Sequence, residues 1–149
     1  MNQQLEPPLI YYSSEAEYYN HFCRMYCDLN NPIYTFDGIK VDFYPVQFEH
    51  AFHESINRLK GDKSIFSRKR AERIDWIKWA LQNQNAALFQ GWIREKRFYD
   101  PRRRVCVVAI NYIVIIQLKS IQRASFITAY VVDDPAKLQL IIGSPRWGP

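Results

Sequence analysis

The segment 124–132 limits the possible folds of this chain most strongly, because its β-branched and aromatic residues are typical of a strand. Side chains alternate between the two faces of a strand, so four of them share one face: Phe126, Thr128, Tyr130 and Val132. Two hydroxyls therefore lie on an otherwise apolar face, where polar groups need partners. They are either ordinary strand residues or part of a site. Ser125 is expected on the opposite face, outside that site.

Helical patterns fill the first half of the chain. Helices are predicted at residues 14–29, 46–59 and about 66–82, and Gly61 ends the second of these. Between the first two, Asp37-Gly38 joins the alternating segments 33–36 and 39–44, which predicts a hairpin.

The second half has the pattern of a β-sheet. Strands are predicted at 91–99, followed by a turn at Asp100-Pro101, and at 124–132. Residues 105–118 form either one long strand or a tight hairpin near Asn111, and the tail from residue 135 looks irregular. Helices followed by an antiparallel meander predict an α+β fold in one domain. We divide it into an N-terminal extension (1–44), a core (45–134) and a tail (135–149).

The charge is concentrated in the middle of the chain. The 149 residues carry a net charge of +5, but residues 58–104 hold fourteen Lys or Arg and five Asp or Glu, a net charge of +9. The remainder is therefore −4. A concentrated basic segment indicates a polyanionic partner such as nucleic acid, although a solvated basic face fits equally well.

Several function classes are disfavoured. The longest apolar run, 105–116, is too short to span a bilayer, and residues 1–9 lack the features of a signal peptide. Cys23, Cys27 and Cys106 form no disulfide framework and too few ligands accompany them for a zinc site, so we expect a cytoplasmic protein with no metal, no cofactor and no membrane association.

The predicted second helix separates apolar residues from histidines. Its apolar side consists of Phe48, Phe52, Ile56 and Leu59, and the other side carries His50, His53 and Asn57. That second side is either a solvated polar face or the lining of a cleft, where histidine suits proton transfer near neutral pH.

The predicted third helix places arginines among apolar residues. Its apolar side consists of Phe66, Ile74, Ile77, Ala80 and Leu81. Arg70 and Arg73 project to this side, which requires either structural partners, namely buried carboxylates or helix C-termini, or a bound anion such as phosphate. Trp76 and Trp79 are expected to pack.

Three segments in order resemble the phage-associated branch of the barnase–EndoU–colicin–RelE-like nucleases. They are 48–55 (FEHAFHES), 66–77 (FSRKRAERIDWI) and 126–130 (FITAY), and the resemblance covers about residues 50–132. It implies an α+β domain that cleaves RNA without a metal. It also implies a catalytic set, with His50 in acid/base catalysis, Arg70 and Arg73 near the scissile phosphate, and the hydroxyl pair of Thr128 and Tyr130.

The expected function is that of a toxin-like or phage-associated endoribonuclease, with tRNA among the candidate substrates and a 2′,3′-cyclic phosphate product. RNA contacts are expected from the basic residues Arg68, Lys69, Lys96, Arg102, Arg103 and Arg104. An inhibitor or immunity protein is a further expected partner. The alternative is a non-catalytic nucleic-acid-binding or protein-binding module of a mobile element.

Overall fold

The structure, a computed structural model, describes residues 5–54 and 65–148. The helices are α1 (Glu15–Tyr26), α2 (Gln47–Phe52), α3 (Arg68–Ala71), α4 (Trp76–Leu81) and α5 (Pro135–Ile142). The strands are β1 (Ile33–Tyr34), β2 (Lys40–Asp42), β3 (His53–Glu54), β4 (Ile65–Phe66), β5 (Ala87–Ile93), β6 (Phe98–Val108), β7 (Tyr112–Ser120) and β8 (Arg123–Val131). The fold is α+β, as predicted.

Six strands form one mostly antiparallel sheet in the order β1-β2-β8-β7-β6-β5. Strands β5 to β8 are the predicted meander. The predicted hairpin around Asp37-Gly38 is also present, with Ile33 opposite Val41 and a positive φ at Gly38. Its second strand, β2, pairs in parallel with β8, so this hairpin extends the same sheet.

The two faces of the sheet are covered differently. Helices α1, α2 and α4 bury an aromatic-rich core against what we call the helix face, where the rings of Phe43 and Phe126 stack 4.9 Å apart. The opposite side, the groove face, carries a smaller apolar cluster built around Phe89 and Ile113. Most of this cluster comes from the strands and from Val132, which directly follows β8. Among the described residues, the other side chains that pack on it are Leu138 and Ile141 of α5.

A β-bulge reverses the predicted alternation of β8. Ile116 pairs with Phe126 whereas the preceding residue, Ile115, pairs with Thr128, so Ile127 is an extra residue in β8. Phe126 therefore lies on the helix face, and Thr128 and Tyr130 lie on the groove face. The prediction that all three share a face is wrong.

The same bulge places Ser125 on the groove face. Ser125 pairs with Gln117, which alternates with Ile115 and Ile113 on the uninterrupted strand β7. Ser125 thus shares a face with Thr128, and the prediction that it faces the opposite way is also wrong.

The predicted second helix is shorter than expected. It ends at Phe52, because His53 adopts extended backbone angles and begins strand β3, which pairs with β4. Phe48 and Phe52 are buried as predicted. His53 does not share a helical face with His50, and the remainder of the prediction, from residue 55 on, lies outside the described residues.

The predicted third helix is divided into α3 and α4. The hydroxyl of Tyr26 donates to Ile74 O at 2.6 Å and accepts from Lys78 N at 3.0 Å. A continuous helix would join those two backbone groups directly, so the hydroxyl takes the place of one helical hydrogen bond. The predicted apolar side from Ile74 to Leu81 is buried, both tryptophans pack in the core, and Phe66 lies in β4 instead.

Several other element boundaries also differ from prediction, and one of the two alternatives for residues 105–118 is decided. Residues 94–97 form a turn between β5 and β6, so 91–99 is not one strand, and Asp100-Pro101 lies within β6 beside a bulge. The hairpin alternative for 105–118 is correct, with Asn111 at φ 58°. The tail contains α5, which begins where the side chain of Asp134 accepts from Ala136 N. Helix α1 ends at Tyr26 rather than at residue 29.

Candidate active site

Two cations lie against the ring of Tyr130 at the end of β8. The guanidinium carbon of Arg70 is 4.9 Å from the ring centroid, and Nζ of Lys137 is 5.0 Å from it. Both distances are within the range of cation–π attraction. The structure therefore brings together two of the predicted catalytic residues, Arg70 and Tyr130, and adds Lys137 of α5.

Arg70 is held by the ends of neighbouring elements. The hydroxyl of Ser67 caps α3 by accepting from Arg70 N, which fixes where the side chain leaves the helix. Its Nη1 donates to Ala51 O at 3.2 Å, and its Nη2 lies 3.8 Å from the Glu54 carboxylate. Arg70 thus has structural partners, as the first of its two predicted roles requires. It also lines a cavity, where an anion could bind.

That cavity has a volume of about 160 Å³ and mixed charge. Among the described residues, three cations and three carboxylates line it: Lys69, Arg70, Lys137, Glu54, Asp133 and Asp134. Lys69 and Asp133, both in this lining, form an ion pair. Basic and acidic side chains therefore line the same cavity as Tyr130, a combination that proton transfer at a phosphate requires.

Two predicted catalytic residues lie near this cavity without lining it in the described part of the chain. Arg73 donates from Nη1 to Lys69 O at 2.7 Å and places its guanidinium 5.1 Å from the Trp76 ring centroid. Its Nε is buried without a hydrogen-bond partner among the described residues. Thr128 lies two residues before Tyr130 on the same face.

The histidines are placed elsewhere. His50 is on the exposed side of α2, and the described residues lining the Tyr130 cavity do not include it. His53 lies 3.2 Å from the Glu15 carboxylate and borders a different cavity with Tyr19. Among the described residues, the lining of the Tyr130 cavity thus includes the tyrosine and its neighbouring cations but neither His50 nor His53.

The six predicted RNA contacts do not form one patch. Arg68 donates to the carbonyls of Tyr12 and Ser13, whereas Lys69 borders the Tyr130 cavity. Lys96 is exposed in the turn after β5, and Arg102 is exposed beside Asp100.

Residues Arg103 and Arg104 point to opposite faces of β6. Arg103 lies on the groove face, where its Nε donates to Gln117. Arg104 has no exposed surface and is held between the rings of Phe36 and Trp147. The prediction that Arg104 contacts RNA is therefore wrong, because the side chain belongs to the core.

The charge of Arg104 is balanced by Asp37 in the hairpin turn. Nη1 of Arg104 donates to both carboxylate oxygens, at 3.1 and 2.9 Å. Burial acts to raise the pKa of Asp37, but the hydrogen bond from Thr35 and the charge of Arg104 outweigh it and hold the pKa below its usual value. This ion pair anchors the β1–β2 hairpin to β6.

A wider groove of about 630 Å³ is also lined by Tyr130 and Lys137. Its aromatic lining includes Trp92 and Tyr99, which the sequence did not single out. The helix that supplies Lys137 was also missed, although Asp134-Pro135 is a typical cap followed by proline at the first helical position. That signal was sufficient to predict α5.

No family model matches the chain, and neither a curated protein nor a solved structure matches it. Within the described ranges, there is no group of three or more His, Cys, Asp or Glu side chains that could hold a metal ion. Within the same ranges, every helix is too short or too polar to cross a membrane. A proposal about function therefore rests on the residues and their geometry.

Proposed function

We propose that this protein is a metal-independent endoribonuclease whose reaction centre is the cavity beside Tyr130. The observation that carries the proposal is that Arg70 and Lys137 both lie against one tyrosine ring, 4.9 and 5.0 Å from its centroid. Cleavage of RNA through its own 2′-hydroxyl needs fixed positive charge for the phosphoryl oxygens and groups that move two protons. The cavity offers both.

The proposed reaction uses four side chains. Glu54 accepts the proton of the ribose 2′-hydroxyl, whose oxygen attacks phosphorus and forms the 2′,3′-cyclic phosphate. The bond from phosphorus to the 5′-oxygen breaks, and the Tyr130 hydroxyl donates the proton that this oxygen takes. Arg70 and Lys137 stabilise the charge that develops on the phosphoryl oxygens. Because side-chain cations supply that charge, the chemistry requires no metal ion.

Glu54 replaces His50 as the proposed base. Its carboxylate is 3.8 Å from Nη2 of Arg70 and lines the cavity, whereas His50 is on the exposed side of α2. The described residues that line the cavity do not include Arg73 or Thr128 either, so neither takes part in this scheme.

The proposal includes membership in the barnase–EndoU–colicin–RelE-like nucleases, as a toxin-like or phage-associated protein. Its support is the order of the three segments 48–55, 66–77 and 126–130 together with the α+β architecture. RNA, including tRNA, is the implied substrate, and an inhibitor protein is the implied partner.

The test is cleavage of an unstructured RNA in the presence of a chelator. Removing the hydroxyl in Tyr130→Phe is expected to lower the cleavage rate by about 10²–10⁴-fold, since it removes the general acid and leaves the ring in place. Tyr34→Phe, at an exposed tyrosine of β1, is the matched control and should cleave like the wild type. Equal rates for wild type and Tyr130→Phe would contradict the proposal.

A non-catalytic RNA-binding module is the second candidate. It is favoured by the position of both histidines, neither of which lines the Tyr130 cavity among the described residues. Salt-dependent RNA binding with no cleavage between pH 5 and 9 would identify this second function.

A further inference from the structure

The groove beside Tyr130 continues the candidate active site across the sheet. It runs over β8, β7, β6 and β5 and is closed on one side by α5, through Leu140 and Ile141. Tyr130 and Lys137 line both this groove and the smaller cavity of the proposed reaction centre. Whatever occupies the groove is therefore adjacent to the proposed scissile phosphate.

The charge of the groove is of one sign. Arg94, Arg103 and Lys137 line it, and none of its described lining residues is an aspartate or a glutamate. The described lining of the neighbouring reaction cavity, in contrast, has equal numbers of both signs. The cations that line the groove thus complement an anionic ligand.

The groove also presents an aromatic surface above an apolar floor. Trp92 and Tyr99 are cross-strand partners whose rings meet edge to face, with centroids 5.0 Å apart. Trp92 is 50% exposed, whereas Trp76 and Trp79 are buried. An exposed aromatic pair beside cations is typical of sites that stack an unpaired base and hold its phosphate.

The side chain of Arg103 occupies space that is open because residue 91 is a glycine. A Cβ atom on Gly91 would overlap the Cβ, Cγ and Cδ atoms of Arg103, so the arginine side chain crosses directly over the glycine backbone. Its Nε then donates to Gln117 at 3.0 Å. This arrangement aims the guanidinium along the groove face instead of into solvent.

We infer that the groove is the binding subsite for the unpaired nucleotide next to the scissile phosphate of single-stranded RNA. The base stacks on the Trp92–Tyr99 pair, and Arg103 binds the phosphate that follows it. This inference rests on the proposed function for its orientation, since Tyr130 defines the reacting end. A duplex cannot use the subsite, because its bases are stacked on each other.

Binding is measured with a short single-stranded RNA whose riboses are 2′-O-methylated, so that it cannot be cleaved. Fluorescence anisotropy of the labelled RNA gives the affinity, and quenching of tryptophan emission reports contact with Trp92. We expect Trp92→Ala to weaken binding about ten-fold and Trp92→Phe to retain most of it, since stacking needs only a ring. Tyr11→Ala, at an exposed tyrosine that is not among the groove residues, is the control.

Gly91→Ala tests the position of Arg103 while keeping every groove cation, and Arg103→Ala is its reference. We expect Gly91→Ala to weaken binding about as much as Arg103→Ala, because the new methyl group displaces the arginine. The double variant should bind like Arg103→Ala alone. Circular dichroism of each variant checks that the fold is retained.

The outcomes separate the subsite from the nuclease proposal. Wild-type affinity in both Trp92→Ala and Gly91→Ala, or equal affinity for an RNA duplex, would overturn the subsite even if the protein cleaves RNA. Binding that requires Trp92 and Arg103, in a wild-type protein that leaves unmodified RNA intact, would support the subsite and refute the proposed nuclease activity.

Discussion

Tyr26 on α1 fixes the junction between α3 and α4 through its hydroxyl. The group donates to Ile74 O and accepts from Lys78 N, and it is fully buried among core aromatics. Burial raises the pKa of Tyr26 well above its usual value, so the phenol stays neutral and keeps its proton for Ile74. A single side chain thereby bridges the break between α3, which carries Arg70, and the buried helix α4.

The first prediction concerns this hydroxyl. Tyr26→Phe leaves a buried carbonyl and a buried amide without their partner, so we expect the free energy of unfolding to fall by about 1–3 kcal/mol. Urea denaturation measures it. Tyr34→Phe removes a hydroxyl from an exposed tyrosine and should change the free energy of unfolding by less than about 0.5 kcal/mol. An equal loss in both variants would contradict the bridging role.

The second prediction concerns the ion pair of Asp37 and Arg104. Asp37→Asn leaves the charge of a fully buried arginine uncompensated. We expect the variant to lose about 3 kcal/mol of unfolding free energy at neutral pH, the lower end for a buried pair because the Asp37 side chain is 32% exposed. Glu95→Gln, in the exposed turn after β5, is the matched control.

The difference in unfolding free energy between wild type and Asp37→Asn should depend on pH. The pKa of Asp37 is lower in the folded protein than its ordinary value of 3.8, so its contribution is fully present above that value and is lost as the pH falls through the folded pKa. The gap between wild type and Asp37→Asn should therefore be constant above about pH 5 and narrow below pH 3.8. A gap that widens in acid would refute this assignment.

At the scale of elements, strand β8 and helix α5 together create the candidate site. The bulge at Ile127 turns Tyr130 away from the helix face, and α5 then returns across the groove face to place Lys137 on the tyrosine ring. A regular strand would instead have directed Tyr130 into the aromatic core beside Phe126. The site thus depends on one extra residue in a strand and on a helix that follows it.

The sequence predicted the type of most elements but not these details. Alternation and turn residues located the β1–β2 hairpin and the meander, since those signals are local. The bulge at Ile127 and the break before Trp76 depend on pairing and on a distant hydroxyl, which no local pattern encodes. Arg103 and Arg104 are neighbours in one basic run, and Arg103 lines the groove whereas Arg104 is buried in the core. The run itself did not show which arginine takes which place, because that depends on the pairing of β6.

The third prediction tests the contribution of α5. Asp134 accepts from Ala136 N at the start of this helix, so Asp134→Ala should destabilise it by about 1 kcal/mol, whereas Asp134→Asn keeps an acceptor and should retain most of the stability. Hydrogen exchange of the α5 amides measures the local free energy. Equal protection of Asp134→Ala and wild type would show that the cap does not hold this helix.

At the scale of the whole molecule, the basic middle of the chain is divided among three tasks. Arg104 neutralises a core carboxylate, Arg68 binds the N-terminal segment, and Arg70 and Arg103 border the proposed site and its groove. The net charge of +9 over residues 58–104 therefore overstates the charge that RNA can reach. The affinity for RNA should depend on a few specific cations.

The fourth prediction follows from that division. The slope of log affinity against log salt concentration should become shallower by about 0.7 for each phosphate-binding cation removed from single-strand binding. Arg103→Ala and Lys137→Ala should each show this change. Arg24→Ala removes an equal charge from the exposed end of α1 and should leave the slope unaltered. Equal slopes in all three variants would indicate a diffuse electrostatic attraction instead.

The central claim is that RNA is cleaved by its own 2′-hydroxyl at the Tyr130 cavity. The most direct measurement compares two single-stranded oligonucleotides in chelator, one all RNA and one with a single 2′-deoxyribose at the cleaved nucleotide, and identifies the product ends by mass spectrometry. The proposed mechanism predicts 2′,3′-cyclic phosphate and 5′-hydroxyl ends from the first and no cleavage at the substituted position of the second. Equal cleavage of both, or a product with a 5′-phosphate, would contradict it.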